Sequence, residues 1–247
     1  MNRMERTVLA LLRAPTYTLT VRAVEDLTAH CRRVHFHAPE LLADHQIAPT
    51  FWLRLWIPAG DEEYQRAYTV TRVRHDEGTF ASDFVAHDSP GLASHWAYTA
   101  QPGQTLRATV HTGKLFHLPE PHPSGFLLVG DPASLPAIND ILDSLPDHVP
   151  AHILLDRHHE DDDQLPVAAR ENDCLQWTIA NQTLHAAVDA LETDLAGWHA
   201  WIATEATTTR QLRAALQHRG LAKTSIKARG YWIAGKPMGR TAPDTAA

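Results

Sequence analysis

Apolar and polar residues alternate along the first half of the chain, from Tyr17 to about His117. The alternation runs through segments rich in β-branched and aromatic residues, namely TYTLTVRAVEDL, RRVHFHA, TFWLRLWIP, RAYTVTRVR, TFASDFVAH and TLRATV. This pattern is typical of strands with one face in a core. Turn signals separate the segments at Pro58 to Gly60, Asp76 to Gly78 and Gln101 to Gly103. The first half is therefore predicted to be an antiparallel barrel or sandwich.

Continuous apolar runs replace the alternation after the proline-rich segment LPEPHPSG. The runs FLLVGD, AHILLD, CLQWTIA and WHAWIAT are typical of parallel strands that are covered on both faces. Helical patterns occur in LPAINDILDSL, from Leu184 to Leu195, and from Thr209 to Arg219, where Gly220 ends the helix. Strands that alternate with helices predict an open parallel α/β sheet. The stiff prolines predict a boundary between domains 1–123 and 124–247.

The composition excludes several classes of protein. With 44% hydrophobic and 21% charged residues, the chain of 247 residues is neither disordered nor fibrous. The formal charge of −7 argues against a nucleic-acid partner. No apolar run approaches the roughly 20 residues of a membrane span, and Val8 to Leu12 is shorter than a signal-peptide core. The two cysteines match no zinc or disulfide spacing. We expect a cytoplasmic monomer without membrane insertion.

The segment RAYTVTR carries the strongest chemical signal. Alternate residues of a strand share a face, so one face is predicted to hold Arg66, Tyr68, Val70 and Arg72, with Thr69 on the other. A guanidinium, an aromatic ring and a hydroxyl so close together suit a flat aromatic cofactor that carries phosphates. From these residues alone, an exposed strand with a tyrosine packed at its edge remains the simpler interpretation.

RAYTVTR resembles the RxYT/S flavin signature of the ferredoxin reductase superfamily. SDFVAH, PGLASHWA, GDPASLPAI and GYW then follow in the order found in siderophore-interacting proteins, which are FAD-dependent ferric-siderophore reductases. The similarity runs from about Tyr17 to Gly235. It implies an N-terminal antiparallel Greek-key β-barrel that binds FAD, followed by a C-terminal open parallel-sheet α/β domain of the ferredoxin-reductase type that binds NADPH or NADH.

The resemblance also implies roles for individual residues. Arg66 would pair with the FAD diphosphate, Tyr68 would stack on the isoalloxazine, and Thr69 would hydrogen-bond near N5, where hydride arrives. Tyr68 and Thr69 are therefore the expected catalytic residues. The other implied cofactor contacts are Phe84, Val85, His87, Gly91, Ala93, Ser94, Asp131, Ser134, Glu205, Tyr231 and Trp232.

Two of these regions have an interpretation without a ligand. Gly91 to Ser94 begin a short helical pattern, and the free N–H groups at such a start bind anions. Ser94 could instead cap its own helix. Tyr231 and Trp232 come after the last predicted strand, where an aromatic pair is more often a plug for the core than a cofactor lid.

Two segments depart from the family pattern. GDPAS stands where the family has GDETA, which removes an acidic and a hydroxyl residue, although Ser134 could supply a displaced hydroxyl. ATEA stands where the family favours AGEA, so Thr204 adds a side chain where the backbone and nicotinamide would approach most closely. We therefore expect slow reduction by a pyridine nucleotide, or a different donor. Asp156 and Arg157 would act in opposite directions on a 2′-phosphate.

The implied substrate is a ferric siderophore, whose common negative charge calls for local cations. Candidate contacts are Arg54, Lys114 and Lys236, each of which could also be a solvated surface charge. His158 and His159 beside the acidic run at Glu160 to Asp163 predict a solvated loop, and we expect no metal site.

The leading hypothesis is a reductase in which NADH or NADPH reduces FAD and the flavin reduces siderophore-bound Fe(III), which is released as Fe(II). The alternatives are a flavin reductase or diaphorase with another acceptor, and a non-catalytic FAD- or siderophore-binding protein.

Overall fold

The computed structural model describes residues 15–86, 91–110, 113, 115–179 and 183–236. The chain divides into two compact units, the second of which is Phe116–Lys236. This division falls a few residues before the proline-rich boundary that the sequence predicts. Phe116 packs edge-on against Phe126, with ring centroids 5.6 Å apart, so the segment before the prolines is attached to the second unit.

Antiparallel strands and two helices make up the described part of the first unit. The helices are α1 (Pro39–Asp44) and α2 (Leu92–Thr99). The strands pair in the order β4-β3-β7-β1-β2-β6-β5. Their bounds are β1 (Thr16–Thr28), β2 (Cys31–His37), β3 (Trp52–Ala59), β4 (Glu62–Thr69), β5 (Thr71–Arg74), β6 (Thr79–Val85) and β7 (Thr105–Val110).

The order of the strands shows that this sheet closes into a barrel. β4 and β5 form its opposite edges, yet only Val70 separates them in the chain. The edges must therefore lie side by side, and the Ser82 hydroxyl of β6 donates to the Thr69 carbonyl of β4 at 2.8 Å. The predicted single strand through Arg72 is wrong in this respect. β4 ends at Thr69, and Arg72 lies at a bulge of β5 with a φ of +52°.

A buried ion pair joins the adjacent strands β2 and β6. Arg33 and Asp83 are register partners, and two hydrogen bonds of 2.7 and 2.8 Å join them. Only 7% of each side chain is exposed. Because the two charges are shielded from water, each depends on the other for its stabilisation.

The described part of the second unit is an open parallel sheet with helices, as predicted. The strands pair in the order β10-β9-β8-β11-β12, and all four pairings are parallel. The strands are β8 (Gly125–Gly130), β9 (Ala151–Leu155), β10 (Cys174–Trp177), β11 (Trp198–Glu205) and β12 (Ile226–Trp232). The helices are α3 (Leu135–Ser144), α4 (Leu184–Asp189) and α5 (Ala206–His218).

The sequence did not predict β12. Tyr231 and Trp232 belong to this strand rather than to a tail beyond the sheet. β12 lies at an edge and alternates polar with apolar residues, so it lacks the continuous apolar run that marks the inner strands. The helix predicted from Leu184 to Leu195 ends earlier, at Asp189.

The helices of the described residues are all too short or too polar to cross a membrane.

Candidate cofactor site

Arg66 and Tyr68 share one face of β4, as the sequence predicts. Their register partners on β3 are Leu55 and Leu53, which are fully buried, so this face looks toward the barrel core. Arg66 is half-buried, and burial lowers the pKa of its guanidinium. A cation that has lost part of its water shell is stabilised by an anion placed beside it. This position therefore suits a phosphate group.

Tyr68 is held from behind by an aromatic neighbour. Its ring centroid lies 4.1 Å from that of Phe84 with the planes at 31°, and Phe84 in turn packs against Trp96 at 5.7 Å. Burial raises the pKa of Tyr68, although the charge of Arg66 opposes the shift, so the phenol stays neutral at physiological pH. The supported ring is a platform for a second flat ring.

The predicted FAD contact of Phe84 stays a prediction, and its side chain does not face solvent. Phe84 has no exposed surface, and its ring lies in the barrel core beneath Tyr68. Thr69 is almost buried on the other face of β4, next to the stacking tyrosine. Val85 is half-buried at the end of β6. His87 lies outside the described residues.

The start of α2 offers backbone donors. Gly91 is the N-cap and no side chain caps the helix. The first intrahelical bond runs from the His95 N–H to the Gly91 carbonyl at 2.9 Å, so the preceding amides, including that of Ala93, lack helical acceptors. The alternative that Ser94 caps the helix is wrong, since its hydroxyl donates to the Gly91 carbonyl at 2.9 Å. The backbone amides of the first turn of α2 are therefore available to an anion.

The groups of the first unit fit FAD. A half-buried guanidinium and a supported aromatic ring lie on one strand face, and α2 of the same unit begins with uncapped amides. These are the donors and the platform that a diphosphate joined to a flat ring requires. The fit rests on Arg66 and Tyr68, which the sequence identified, and not on Phe84.

The second unit has a buried carboxylate at the carboxyl end of β8. Asp131 has no exposed surface. Its Oδ1 accepts from the backbone N–H groups of Ala133 and Ser134, and its Oδ2 accepts from Thr204 Oγ1 at 2.8 Å and Trp232 Nε1 at 2.7 Å. Burial raises the pKa of Asp131, whereas the charge of His158 and the hydrogen bonds from Trp232, Thr204 and Ser134 oppose that rise.

The side chains of Asp131 and Ser134 face the interior, and their predicted nucleotide contacts stay predictions. Ser134 is also fully buried, and its hydroxyl donates to the Asp131 carbonyl and accepts from the Asp131 N–H. Both side chains therefore build the turn between β8 and α3. Gly130 is required here, because a Cβ at this position would overlap the Ser134 hydroxyl that closes the turn and would lie 3.2 Å from the Ala203 carbonyl oxygen.

The expectation that Thr204 projects bulk toward a nicotinamide is wrong. Its side chain is 1% exposed and turns inward to Asp131. We refer to Asp131, His158, Thr204 and Trp232 as the strand-end cluster, because they lie at the ends of, or just after, β8, β9, β11 and β12. Ligands of open α/β sheets bind beyond this edge.

His158 packs against Trp232 in the strand-end cluster, where the sequence predicted a solvated loop. Its ring meets Trp232 edge-on at 5.7 Å, and 25% of its side chain is exposed. Burial lowers the pKa of His158, but the pairing with Asp156 at 3.6 Å and the charges of Asp131 and Asp162 raise it, and the net shift is upward. The position just beyond a parallel strand was the one sequence signal for this role.

We expect His158→Gln to remove a pH-dependent part of the stability. A raised histidine pKa stabilises the fold fully below the unfolded value of 6.5, and this contribution disappears as the pH rises through the folded pKa. The difference in unfolding free energy between wild type and variant should therefore be largest in mild acid and shrink in alkali. Urea unfolding across that range measures it, and Asp156→Asn should move the change to lower pH. A difference independent of pH would contradict this assignment.

Glu205 acts as the N-cap of α5. Its carboxylate accepts from the N–H groups of Thr207 and Thr208, and the bonds from Thr208, Thr207 and Ala234 lower its pKa against a weak effect of burial. The carboxylate therefore occupies the place that an external anion would take. Its predicted cofactor contact stays a prediction.

We expect Glu205→Ala to reduce the unfolding free energy by about 1 kcal/mol, because two amides lose their acceptor. Glu205→Ser should retain most of the stability, since serine is a favoured N-cap. Urea unfolding of both variants measures the effect. Equal losses in the two variants would show that the cap is not what stabilises the helix.

The predicted substrate cations Arg54 and Lys236 belong to different units of the chain. Arg54 belongs to the opposite face of the β3–β4 pair from Arg66, where it donates to Gln65 Oε1 at 2.9 Å. Lys236 is exposed after β12, and Lys114 lies outside the described residues. Tyr231 packs edge-on against Trp201 at 6.0 Å. The described residues contain no group of three metal-binding side chains.

The barrel with its guanidinium–aromatic pair and the parallel α/β unit define a flavoprotein of the ferredoxin-reductase fold. A ferredoxin NADP+ reductase from Neisseria gonorrhoeae, solved with bound FAD and NADP, matches with a TM-score of 0.65 at 15% identity. The match covers 89% of this chain and all of that one, so it supports the fold class.

Two family models then identify the family. A model of siderophore-interacting proteins matches residues 123–235, and one of the siderophore-interacting FAD-binding domain matches residues 47–113. Together they cover more than two thirds of the chain. The chain belongs to the siderophore-interacting protein family, and FAD is the cofactor of its first unit. The resemblance drawn from the motifs is confirmed.

Relatives and solved structures extend this picture. The chain is 35% identical over 231 residues to the mycobactin import ATP-binding/permease protein IrtA of Mycobacterium tuberculosis, covering 92% of this chain and 27% of that protein. It thus spans about a quarter of such relatives. Ferric vibriobactin reductase ViuB of Vibrio cholerae is 27% identical over 179 residues, 69% of this chain and 65% of that protein. A siderophore utilization protein from T. fusca matches with a TM-score of 0.80 at 22% identity, covering 91% and 95%.

Proposed function

We propose that this protein is a ferric-siderophore reductase that takes electrons from NADH or NADPH through FAD. The observation that carries the proposal is the Arg66–Tyr68 face of β4, where a half-buried cation adjoins an aromatic platform. Membership in the family supports a siderophore as the substrate, and the relative named as a ferric vibriobactin reductase supports its reduction.

When bound, FAD supplies a carrier that accepts two electrons from a nicotinamide and releases them singly to Fe(III). In this proposal Arg66 holds the diphosphate, and the backbone amides at the start of α2 add neutral donors to it. Tyr68 holds the isoalloxazine flat against its ring, while Phe84 prevents the tyrosine from turning into the core. Thr69 would hydrogen-bond to the reactive edge of the flavin.

The nucleotide is assigned to the carboxyl edge of the parallel sheet in the second unit. This assignment follows the general rule for open α/β sheets, and the described side chains at that edge include those of the strand-end cluster. Arg157 pairs with Asp163 and with backbone carbonyls of its own loop, and Asp156 accepts from Thr178. Neither side chain therefore favours NADPH over NADH.

The reaction needs no general acid or base from the protein. Electrons pass outward to an iron that keeps its own oxygen ligands, and the hard donors of a siderophore hold Fe(II) less firmly than Fe(III). What the chain must supply is a fixed flavin and an approach for a bulky acceptor. Arg54 and Lys236, together with Lys114, remain predicted contacts for an anionic siderophore.

An anaerobic two-step experiment tests the proposal. The purified protein is reconstituted with FAD, titrated with NADH and NADPH, and then mixed with a ferric hydroxamate or a ferric catecholate in the presence of a ferrous chelator. We expect the flavin to bleach with a nucleotide and to recover as the Fe(II) chelate forms. Bleaching without Fe(II) from either siderophore would favour a diaphorase. Bound FAD that no nucleotide reduces would favour a binding protein.

A further inference from the structure

A single carboxylate oxygen joins the ends of three neighbouring strands in the second unit. Asp131 Oδ2 accepts from Thr204 Oγ1 at 2.8 Å and from Trp232 Nε1 at 2.7 Å. Asp131 directly follows β8, Thr204 lies near the end of β11, and Trp232 ends β12. The hydrogen bonds therefore connect residues that are distant in sequence but adjacent along the sheet edge.

All four described partners of the Asp131 side chain are donors. Two backbone N–H groups donate to Oδ1, and a hydroxyl and an indole N–H donate to Oδ2. An ionised carboxylate can accept from all four donors. Charge-assisted hydrogen bonds of this kind are strong where water is excluded. Because Asp131 is fully buried, neither side-chain donor can exchange it for a water molecule at little cost.

A bulge in β12 directs the indole to this oxygen. In the pairing of β11 with β12, Thr204 is opposite Gly230 and Glu205 is opposite Trp232, so Tyr231 is the extra residue. A bulge re-aims the side chain that follows it. Trp232 thus reaches Asp131 with its N–H, while part of its surface stays exposed.

The Thr204–Asp131 bond crosses the point where the strand order reverses. From β8 the chain proceeds to β9 and β10 on one side of the sheet and to β11 and β12 on the other. In open α/β sheets the crevice beyond this switch point receives the ligand. The partly exposed indole of Trp232 borders that position, whereas the side chains of Asp131 and Thr204 lie beneath the surface.

We propose that Asp131 and Thr204 are positioning residues. Their hydrogen bonds hold the Trp232 indole in place at one side of the nucleotide-binding site. This inference rests on the proposed function, because it takes the ligand at the switch point to be NADH or NADPH. A residue without a side-chain hydroxyl at position 204 could not donate to Asp131 Oδ2, so the anchor depends on this threonine. Its loss would leave a buried carboxylate oxygen short of one donor.

Tryptophan indole resonances test the anchor directly. The holoprotein is labelled with ¹⁵N-tryptophan, which gives seven indole N–H signals, and Trp232→Phe identifies the one from Trp232. We expect that signal to be shifted downfield and to exchange slowly with solvent. Thr204→Val, which keeps the shape but removes the hydroxyl, should shift it and accelerate its exchange. Thr204→Ser should restore both properties.

Binding of NAD⁺ and NADP⁺ to the oxidised holoprotein, measured by calorimetry, tests the consequence. Thr204→Val loses one hydrogen bond that orders the nucleotide-binding site, so its nucleotide affinity should fall about two- to tenfold. Thr204→Ser should bind the nucleotides as tightly as wild type. A Trp232 signal that is identical in wild type and Thr204→Val would overturn the proposal. So would a released indole with unaltered nucleotide affinity.

The two proposals fail in different ways. If wild type binds a nucleotide and the anchor behaves as expected, but no ferric siderophore is reduced, the reductase assignment fails and the positioning role stands. If wild type binds neither nucleotide, the assignment of a nucleotide-binding site to this edge of the sheet is wrong. Asp131→Asn can be compared with Thr204→Val in the same two measurements. Thr204→Val is the decisive variant, because it leaves the carboxylate in place.

Discussion

Replacing Arg66 by alanine is expected to weaken FAD binding by roughly ten- to a hundredfold, so that the purified variant carries little flavin. Hydrogen bonds to a charged group contribute about 1.5–3 kcal/mol, which corresponds to that range. The loss should be at the upper end because the guanidinium is half-buried and a diphosphate would replace its missing water. Flavin content on purification and the dissociation constant from a fluorescence titration measure the effect.

Arg74→Ala is the matched control for this variant. Arg74 is a cation of the same barrel, but its side chain is 62% exposed and pairs with Glu77. Its removal should leave flavin content unchanged. Arg66→Lys should bind with intermediate affinity, since an ammonium keeps the charge without the planar fork. If Arg66→Ala folds and binds FAD as tightly as wild type, the diphosphate lies elsewhere.

Replacing Asp83 by alanine is expected to lower the unfolding free energy by about 3–5 kcal/mol. The variant leaves the Arg33 guanidinium in the barrel wall with no partner for the two bonds that Asp83 accepted. Both side chains are only 7% exposed, so water cannot replace the lost carboxylate. Urea unfolding followed by circular dichroism provides the measurement.

The pair between Arg32 and Asp26 is a control of the same chemistry. It also has two hydrogen bonds, of 2.6 and 3.0 Å, but the Asp26 side chain is 58% exposed. Asp26→Ala should change the stability by less than about 1 kcal/mol. Comparable losses in Asp26→Ala and Asp83→Ala would show that burial does not determine the effect. The double variant Arg33→Met/Asp83→Leu should recover much of the loss, because it removes both charges.

Local pattern predicted which side chains share a face of β4, and the limits of that prediction have a physical cause. Alternation placed Arg66 and Tyr68 on one face because the strand period is a property of the backbone. It failed at Val70, where the chain passes from one edge of the sheet to the other. Closure of the barrel decides that break, and nothing local in RAYTVTR indicates it.

The strand-end cluster of the second unit depends on contacts between distant segments. Asp131 meets residues 73 and 101 positions further along the chain. The motif GDPAS indicated a functional turn, but whether its aspartate faces a ligand or the interior depends on which side chains end β11 and β12. Thr204 looked like an obstruction in sequence for the same reason. β12 itself was missed because an edge strand need not be apolar on both faces.

The account depends most directly on FAD being held by the Arg66–Tyr68 face of the barrel, and a crystal structure of the protein grown with excess FAD tests this. We predict the Arg66 guanidinium within hydrogen-bond distance of the diphosphate and the Tyr68 ring stacked on the isoalloxazine. A flavin bound away from β4, or stacked on an aromatic ring other than that of Tyr68, would contradict the account.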